Sequence, residues 1–307
     1  MMSSLRIFIC ILVTLASLAA TPTQARFESW KKTQVDLRDR GNIIRIATFN
    51  IRSNYGSDTQ DWKTRLKSLD SLFRIYDFDI LGVQEPYQPQ IDELMELHGN
   101  TYDYYVVGTG NINSRGLSHS NPIFYRKDRF ELLQKGVFWF SEKPDSPASV
   151  SWDASQARNC VWVQLRDRKT GVSFYVFNSH FDHKSTLARN NSAQLLLDHV
   201  KRIAGDDLVI CTGDFNTRQT TTAFKLLSSG HLMDTYNIAR KVENSDYRTS
   251  HGYKDIPPSP DAARIDHIFI SRKPKSKKVD MWKVCNENFN GKWASDHFPV
   301  YIDLRMQ

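Results

Sequence analysis

Apolar residues along this chain recur in two rhythms, one of two residues and one of three to four, and the two alternate down its length. Ile43 to Ile51 alternates and is rich in β-branched side chains, which predicts a strand ending near Asn50. Trp62, Leu66, Leu69, Phe73 and Tyr76 then fall at three- and four-residue steps, the signature of one helix face. Strand rhythm returns over Asp79–Gln84, delivers Glu85 and stops at Pro86, and a second helix carries Ile91, Leu94 and Met95. Further strands are predicted over Tyr102–Val107, Pro122–Tyr125 and Phe130–Phe140, the last running into a loop rich in Pro and Ser.

Cys160–Arg166 and Val172–Asn178 read as a hairpin turning at Lys169-Thr170-Gly171. Ala193, Leu196, Leu197, Val200 and Ile203 mark another helical stripe, and Leu208–Thr212 is a buried-type strand running into Gly213-Asp214. Ile265–Ser271, Val279–Val284 and Pro299–Leu304 are the last strands. Many strands with a few interspersed helices predict an α/β domain in which two sheets pack on each other and helices cover the outside. No Gly/Ser or Pro linker and no internal repeat divides it, so residues 26–307 read as one domain.

The N-terminus changes the picture. Met1 to Arg6 carries one positive charge and no acid, Ile7 to Ala20 is almost wholly apolar, and Thr23-Gln24-Ala25 supplies small residues at a cleavage point. This is the pattern of a secretory signal peptide over residues 1–25, with a permanent N-terminal anchor as the competing reading. The expected mature protein is exported, periplasmic or secreted, a monomer, and free of stable membrane insertion. Its three cysteines, Cys160, Cys211 and Cys285, sit among apolar neighbours and are expected to fill the core; a Cys160–Cys211 bridge is the alternative.

Net charge is +7, and part of the excess lies in Arg272-Lys273-Pro274-Lys275-Ser276-Lys277-Lys278. That run reads as a basic loop between two strands, either a solvated hairpin tip or a patch for polyanions such as nucleic acid. The aromatic segment Val137–Trp152 is expected to pack in the core, with substrate stacking as the other reading.

Polar residues stand at the ends of the apolar runs, and their types matter. Carboxylates beside His or Asn are what hydrolysis of a phosphate ester needs: acidic oxygens to hold a metal and steer water, neutral or charged nitrogens to meet phosphate oxygens. The stretches are Thr48-Phe49-Asn50-Ile51-Arg52, Gly82-Val83-Gln84-Glu85, Asn178-Ser179-His180-Phe181-Asp182, Gly213-Asp214-Phe215-Asn216, Arg264-Ile265-Asp266-His267 and Ser295-Asp296-His297. In this order and together they resemble the endonuclease/exonuclease/phosphatase superfamily, which includes DNase I-like nucleases, inositol-phosphate phosphatases and sphingomyelinases. The resemblance runs from about residue 43 to the end and is closest to compact secreted bacterial members.

It implies a four-layer α/β/β/α sandwich, two mixed β-sheets packed face to face with helices outside, and a metal-dependent phosphoric-ester hydrolase. Glu85 matches the metal-ligand glutamate, with Asn50 and Asp296 as further metal-side groups; Mg²⁺, or Mn²⁺ in its place, suits such hard oxygens. Asp214 matches the carboxylate that orients or deprotonates the attacking water, and Asn216 and His180 match groups that meet the phosphoryl oxygens. His297 matches the essential histidine and Asp266 the carboxylate that holds its ring. His267 is expected to pack, because adjacent strand residues face opposite ways. Arg158 and His183 are weaker candidates for substrate binding. No nucleophilic Ser or Cys motif is present, so no covalent intermediate is expected.

The expected substrate is a phosphate ester: nucleic acid, or a phosphorylated lipid, inositol or sugar, which the motifs do not separate. The reading from a different class is a non-catalytic module that binds a phosphorylated ligand and retains only the fold.

Overall fold

The computed structural model describes residues 40–306 except 57, 59 and 274–276. The signal-peptide reading falls on residues outside these. Two parallel strands, β1 (Ile43–Asn50) and β2 (Ile80–Gln84), lie at the middle of the first sheet, joined by helix α1 (Trp62–Tyr76). Asp61 caps α1 by accepting from the Thr64 amide, and the left-handed Asp77 (φ 48°) ends it, sending its N–H to the Phe73 carbonyl. Helix α2 (Gln88–His98) follows β2 and leads to β3 (Tyr102–Tyr105).

The predicted strand Tyr102–Val107 is cut short there. Two small strands, β4 (Gly108–Ile112) and β5 (Ser118–Ser120), instead form a separate ribbon before β6 (Ile123–Arg126) returns to the first sheet. β7 (Phe130–Trp139), β8 (Asn159–Asp167) and β9 (Ser173–His180) form an antiparallel meander in the second sheet. Helix α3 (Thr186–Ala204) crosses over to β10 (Val209–Asp214), which pairs parallel with β9. Elements that the periodicity did not reveal come next: α4 (Thr222–Ser229), β11 (Leu232–Asp234), α5 (Thr235–Ile238) and β12 (Lys241–Glu243). The chain ends with β13 (Asp266–Ser271), β14 (Lys277–Val284) and β15 (Val300–Met306).

The first sheet has seven strands in the order β12-β14-β15-β1-β2-β6-β3, and the second has six in the order β11-β13-β10-β9-β8-β7. Strand alternation sorts the side chains between layers. Ile44 and Ile46 of β1, Val176 of β9, Ile210 of β10, Ile268 and Ile270 of β13 and Ile302 of β15 fill the space between the sheets. The opposite face of the first sheet, with Ala47, Phe49, Leu81 and Val83, packs on Leu69, Phe73, Ile91 and Leu94 of α1 and α2. On the second sheet, Phe177, Cys211 and Phe269 pack on Leu196, Leu197, Val200 and Phe224 of α3 and α4. The result is the four-layer α/β/β/α sandwich. Each such buried side chain contributes about 1.5–3 kcal/mol, so the three apolar layers hold the sheets in register.

Of three further sequence readings, one needs revision and two hold. The basic run Arg272–Lys278, of which residues 274–276 lie outside the described residues, is not a hairpin tip, because β13 and β14 on either side of it belong to different sheets. It also sits away from the polar strand ends: Asp266 opens β13 and Ser271 closes it, a span of about 17 Å at strand rise. The three cysteines fill the core as expected, all free and buried, and the alternative Cys160–Cys211 bridge is absent, since the two lie on β8 and β10 with β9 between them. Two strand spacings amount to about 9.6 Å, beyond the reach of a disulfide at about 7 Å. The aromatic reading holds for Phe138 and Phe140, which are buried in the outer core, and buried Trp139 donates its indole N–H to the Thr109 carbonyl.

Candidate active site

The alternation that fills the middle layer with isoleucine changes character at one end. On the same inward-facing positions, β1 continues with Thr48 and Asn50, β2 with Gly82 and Gln84, β9 with Asn178 and His180, and β10 with Thr212 and Asp214, while β13 begins with Asp266. One layer below the mouth, Gln84 Nε2 donates to Thr48 Oγ1 (3.0 Å) and to Asn178 Oδ1 (2.7 Å), and Thr212 Oγ1 donates to the same Asn178 oxygen (3.1 Å). Asn178 Nδ2 reaches the Val83 and Pro122 carbonyls. This buried network needs Gly82: a Cβ there would stand 2.1 Å from Thr212 Oγ1 and 2.7 Å from Asn178 Oδ1.

Above the network the sheets meet through carboxylates. Asn50 Nδ2 donates to Glu85 Oε1 at 2.9 Å and to Asp214 Oδ2 at 3.0 Å, so one amide spans two acids from different sheets. Alternation would turn Glu85 away from Gln84's side. Instead Glu85 adopts a left-handed φ of 76°, and its second oxygen accepts from the Ser53 amide (3.2 Å) while Ser53 Oγ holds the Glu85 carbonyl (2.8 Å). A non-glycine residue held there costs on the order of 1–3 kcal/mol and persists because its surroundings over-determine it. Burial opposes ionisation of Glu85, but His180, the Asn50 amide, His119 and Arg52 outweigh it and keep the carboxylate charged.

On the other side, His297 Nδ1 meets both oxygens of fully buried Asp266, at 3.1 and 2.9 Å. Burial disfavours the imidazolium, yet Asp266, Asp214 and Asp296 together raise its pKa well above the ordinary histidine value. Its Nε2 stands 3.9 Å from Asp214 Oδ2, and His180 Nε2 stands 3.4 Å from the same oxygen. His180 is the opposite case: burial first, then Arg158, hold its pKa well below the usual value, against the pull of Glu85. Burial and the Asp266 charge push Asp214 up to about 7, against the pull of His297 and the Asn50 and Asn216 hydrogen bonds.

The remaining candidates are placed as follows. Asn216 (φ 48°) donates its backbone N–H to Asp214 Oδ1 and its side-chain amide to the Phe181 carbonyl. Asp296 lies beside Arg52, 3.4 Å from Nη1, and accepts from Ser295 Oγ, which also closes on the Asn50 carbonyl at 2.6 Å. Arg158 is buried and donates from Nη2 to Nδ1 of exposed His183 at 3.1 Å. His267 faces the outer layer, against Phe215, Phe224 and Phe269, with Nε2 on the Thr217 carbonyl.

Several residues at the mouth carried no periodic signal. Arg52 (φ 59°) borders both Glu85 and Asp296. Arg65 of α1 is fully buried and holds the Ile51, Arg52 and Ser53 carbonyls, fixing the loop that positions Asn50 and Ser53. Tyr55 and Tyr87 both reach His119 Nε2. The polar residues Gln84 and Asn178 inside otherwise apolar strands were the one legible hint of the network beneath.

Two oxygen-rich groupings can hold a cation. Asp214, Asp266 and His297 bring three ligand atoms within 4.8 Å of one another. In that trio both oxygens of Asp266 are already engaged by His297, which makes it an ion pair first. The Glu85 side offers an ionised carboxylate, Asn50 Oδ1 with only the Arg52 amide on it, and Asp296 nearby. Such hard oxygens fit Mg²⁺ or Mn²⁺.

A sandwich of this kind with acids, amides and histidines converging from both sheets defines a phosphoric-ester hydrolase fold. The profile of the Endonuclease/Exonuclease/phosphatase family matches residues 47–297, and the chain belongs to that family, whose members generally use a divalent metal ion. Among solved structures, an endonuclease/exonuclease/phosphatase from Bacteroides vulgatus superposes with a TM-score of 0.78 at 32% identity, covering 86% of this chain and 99% of that one. A mannosyl-6-phosphatase from Bacteroides thetaiotaomicron gives 0.77 at 32% identity, covering 85% and 99%. A protein of Acanthamoeba polyphaga mimivirus is 29% identical over 195 residues, 59% of this chain and 70% of its own length.

Proposed function

We propose that this protein is an exported, monomeric, Mg²⁺-dependent hydrolase of small phosphate esters, a phosphorylated sugar being the favoured class. The observation that carries the reading is the continuous chain Glu85–Asn50–Asp214–His297–Asp266, which crosses from one sheet to the other at hydrogen-bond and ion-pair distances. A relative of 32% identity is a mannosyl-6-phosphatase, which supports the sugar phosphate. The described basic residues Arg272, Lys273, Lys277 and Lys278 do not support nucleic acid, because they lie at the end of β13 and the start of β14 away from Asp266.

Glu85, with Asn50 and Asp296, would hold the ion, and Mn²⁺ would serve in place of Mg²⁺. The bound ion supplies Lewis-acid neutralisation of charge on the phosphoryl oxygens. Asp214 takes the proton of the attacking water, whose oxygen bonds to phosphorus in line as the ester oxygen leaves with the bonding pair. A base near neutrality is well matched to that step. His297, charged through Asp266, donates to a phosphoryl oxygen where negative charge builds, and His180 and Asn216 add further donors. Export rests on the leader pattern of residues 1–25 and is tested by sequencing the N-terminus of protein recovered from cell fractions.

The test of activity is hydrolysis of p-nitrophenyl phosphate, bis-p-nitrophenyl phosphate, mannose 6-phosphate and plasmid DNA, with Mg²⁺ and with EDTA. Metal-dependent release of phosphate or nitrophenol that disappears in Glu85→Gln and His297→Ala supports the proposal. Turnover that survives both substitutions sinks it, and none from the intact protein with Mg²⁺ sinks it and leaves a non-catalytic binding module.

A further inference from the structure

Beside the hydrolytic chain lies a cation without an anion. Arg158 is 4% exposed, yet among the described residues no carboxylate comes within ion-pair distance of its guanidinium. Its Nε is buried with no hydrogen-bond partner, and the neighbour of Nη2 is an imidazole, His183 Nδ1. Other buried arginines of this protein are matched in charge, although Arg65 Nε and Arg264 Nη1 also lack partners: Arg45 is paired with Asp303, Arg264 with Asp234, and Arg65 with Asp58 at 3.9 Å and with backbone carbonyls. A buried charge left unpaired is strongly unfavourable unless something supplies the counter-charge. Glu85, Asp182 and Asp214 are felt only through space, and burial draws the Arg158 pKa down.

The surroundings are suited to an anion. The imidazoles of His119, His180 and His183 all lie within the field of the Arg158 charge. Arginine can only donate, so His183 Nδ1 carries the lone pair and its Nε2 the proton. His119 Nδ1 is also buried without a partner, because its Nε2 is taken by Tyr55 and Tyr87. Two buried nitrogens without partners, Arg158 Nε and His119 Nδ1, thus lie within the field of Glu85.

We propose that Arg158, with His119 and His183, clamps the non-bridging oxygens of the phosphoryl group and makes this enzyme selective for phosphate monoesters over diesters. The inference rests on the proposed hydrolase. A monoester is a dianion near neutral pH and a diester a monoanion, so a dedicated second cation favours the monoester. The guanidinium fork meets two oxygens of one phosphate, which a diester, with one oxygen alkylated, presents less well.

The experiment compares kcat/KM for p-nitrophenyl phosphate and bis-p-nitrophenyl phosphate in wild type, Arg158→Lys, Arg158→Met and His183→Ala, with calorimetry of inorganic phosphate binding to each protein. Wild type is expected to prefer the monoester. A charged hydrogen bond is worth about 1.5–3 kcal/mol, so Arg158→Met should lose roughly 10- to 150-fold on the monoester and in phosphate affinity, and much less on the diester. Arg158→Lys should fall between the two, and His183→Ala, at an exposed position, should lose a few-fold on the monoester alone. Thermal midpoints identify any variant that has not folded, for which Arg158→Lys and His183→Ala carry the comparison. Equal losses on both esters, or a wild type that prefers the diester, overturn the clamp and leave the hydrolase standing. A wild type that turns over neither ester removes both.

Discussion

Asn50 and Asp214 sit on strands of different sheets, and a 3.0 Å hydrogen bond from the Asn50 amide to Asp214 Oδ2 joins them directly. The same amide group holds Glu85 at 2.9 Å. A half-buried acid and a buried one are thus kept apart yet within reach of one site by a neutral donor, which lets each take a different protonation behaviour: Glu85 held ionised, Asp214 pushed up to about 7.

Removing the charge of Glu85 tests the cation directly. Glu85→Gln preserves shape and should abolish Mg²⁺-induced thermal stabilisation. Outer residues around metal ligands already cost about 10–100-fold when mutated, so turnover should fall by at least about 100-fold. Melting curves across a Mg²⁺ titration read this, and an undiminished shift in the variant would place the ion elsewhere.

The His297–Asp266 pair makes a pH-dependent contribution. The folded His297 value lies above the unfolded one, so the stabilisation is complete below about pH 6.5 and is lost as pH rises through the raised folded value. Asp266→Asn should cost about 3 kcal/mol at low pH, the lower end for a broken buried pair because the imidazole can shed its proton. The melting-temperature gap to wild type should narrow steadily toward high pH. A gap that is flat across the range contradicts the pairing.

Gly82 is predicted to tolerate no side chain. Gly82→Ala drives a methyl into Thr212 and Asn178 from the facing sheet and should destabilise by about 1–3 kcal/mol or more, the usual range for overpacking. Thr212→Ala should recover part of that loss in the double mutant, a non-additivity that distant sites do not show. Denaturant unfolding of the four proteins measures it.

Charge on the inter-sheet crossover should be irrelevant to turnover. Lys273 is exposed and pairs only with Asp206, and Lys278 is exposed on β14. Lys273→Glu with Lys278→Glu should change ester hydrolysis less than about two-fold, because exposed charges beyond about 10 Å are screened at ordinary salt. A large, salt-dependent loss would bring the run back into substrate recognition.

Much of this protein is written in local pattern. β-Branched alternation set β1, β10 and β13, the three- and four-residue stripe set α1 and α3, and the polar residue at the end of each apolar run marked Asn50, His180, Asp214 and Asp266 in advance. These follow from short-range rules: alternation decides which face a residue takes, and the run's end decides where polarity begins. The short elements α4, β11, α5 and β12 were missed because too few residues repeat within them to make a period.

What the chain does not state locally is which strand ends meet. That Asn50 joins Glu85 to Asp214, that β9 separates Cys160 from Cys211, and that β13 and β14, on either side of Arg272–Lys278, belong to different sheets all depend on strand order, which no window of sequence contains. Glu85 points inward only because Ser53 and Asn50 hold a left-handed backbone against its own alternation, and Arg158 lacks a counter-ion only because packing buries it among histidines. Contacts between residues hundreds of positions apart are decided by the packing of whole sheets, where the free energy of burying their shared apolar face outweighs any local preference.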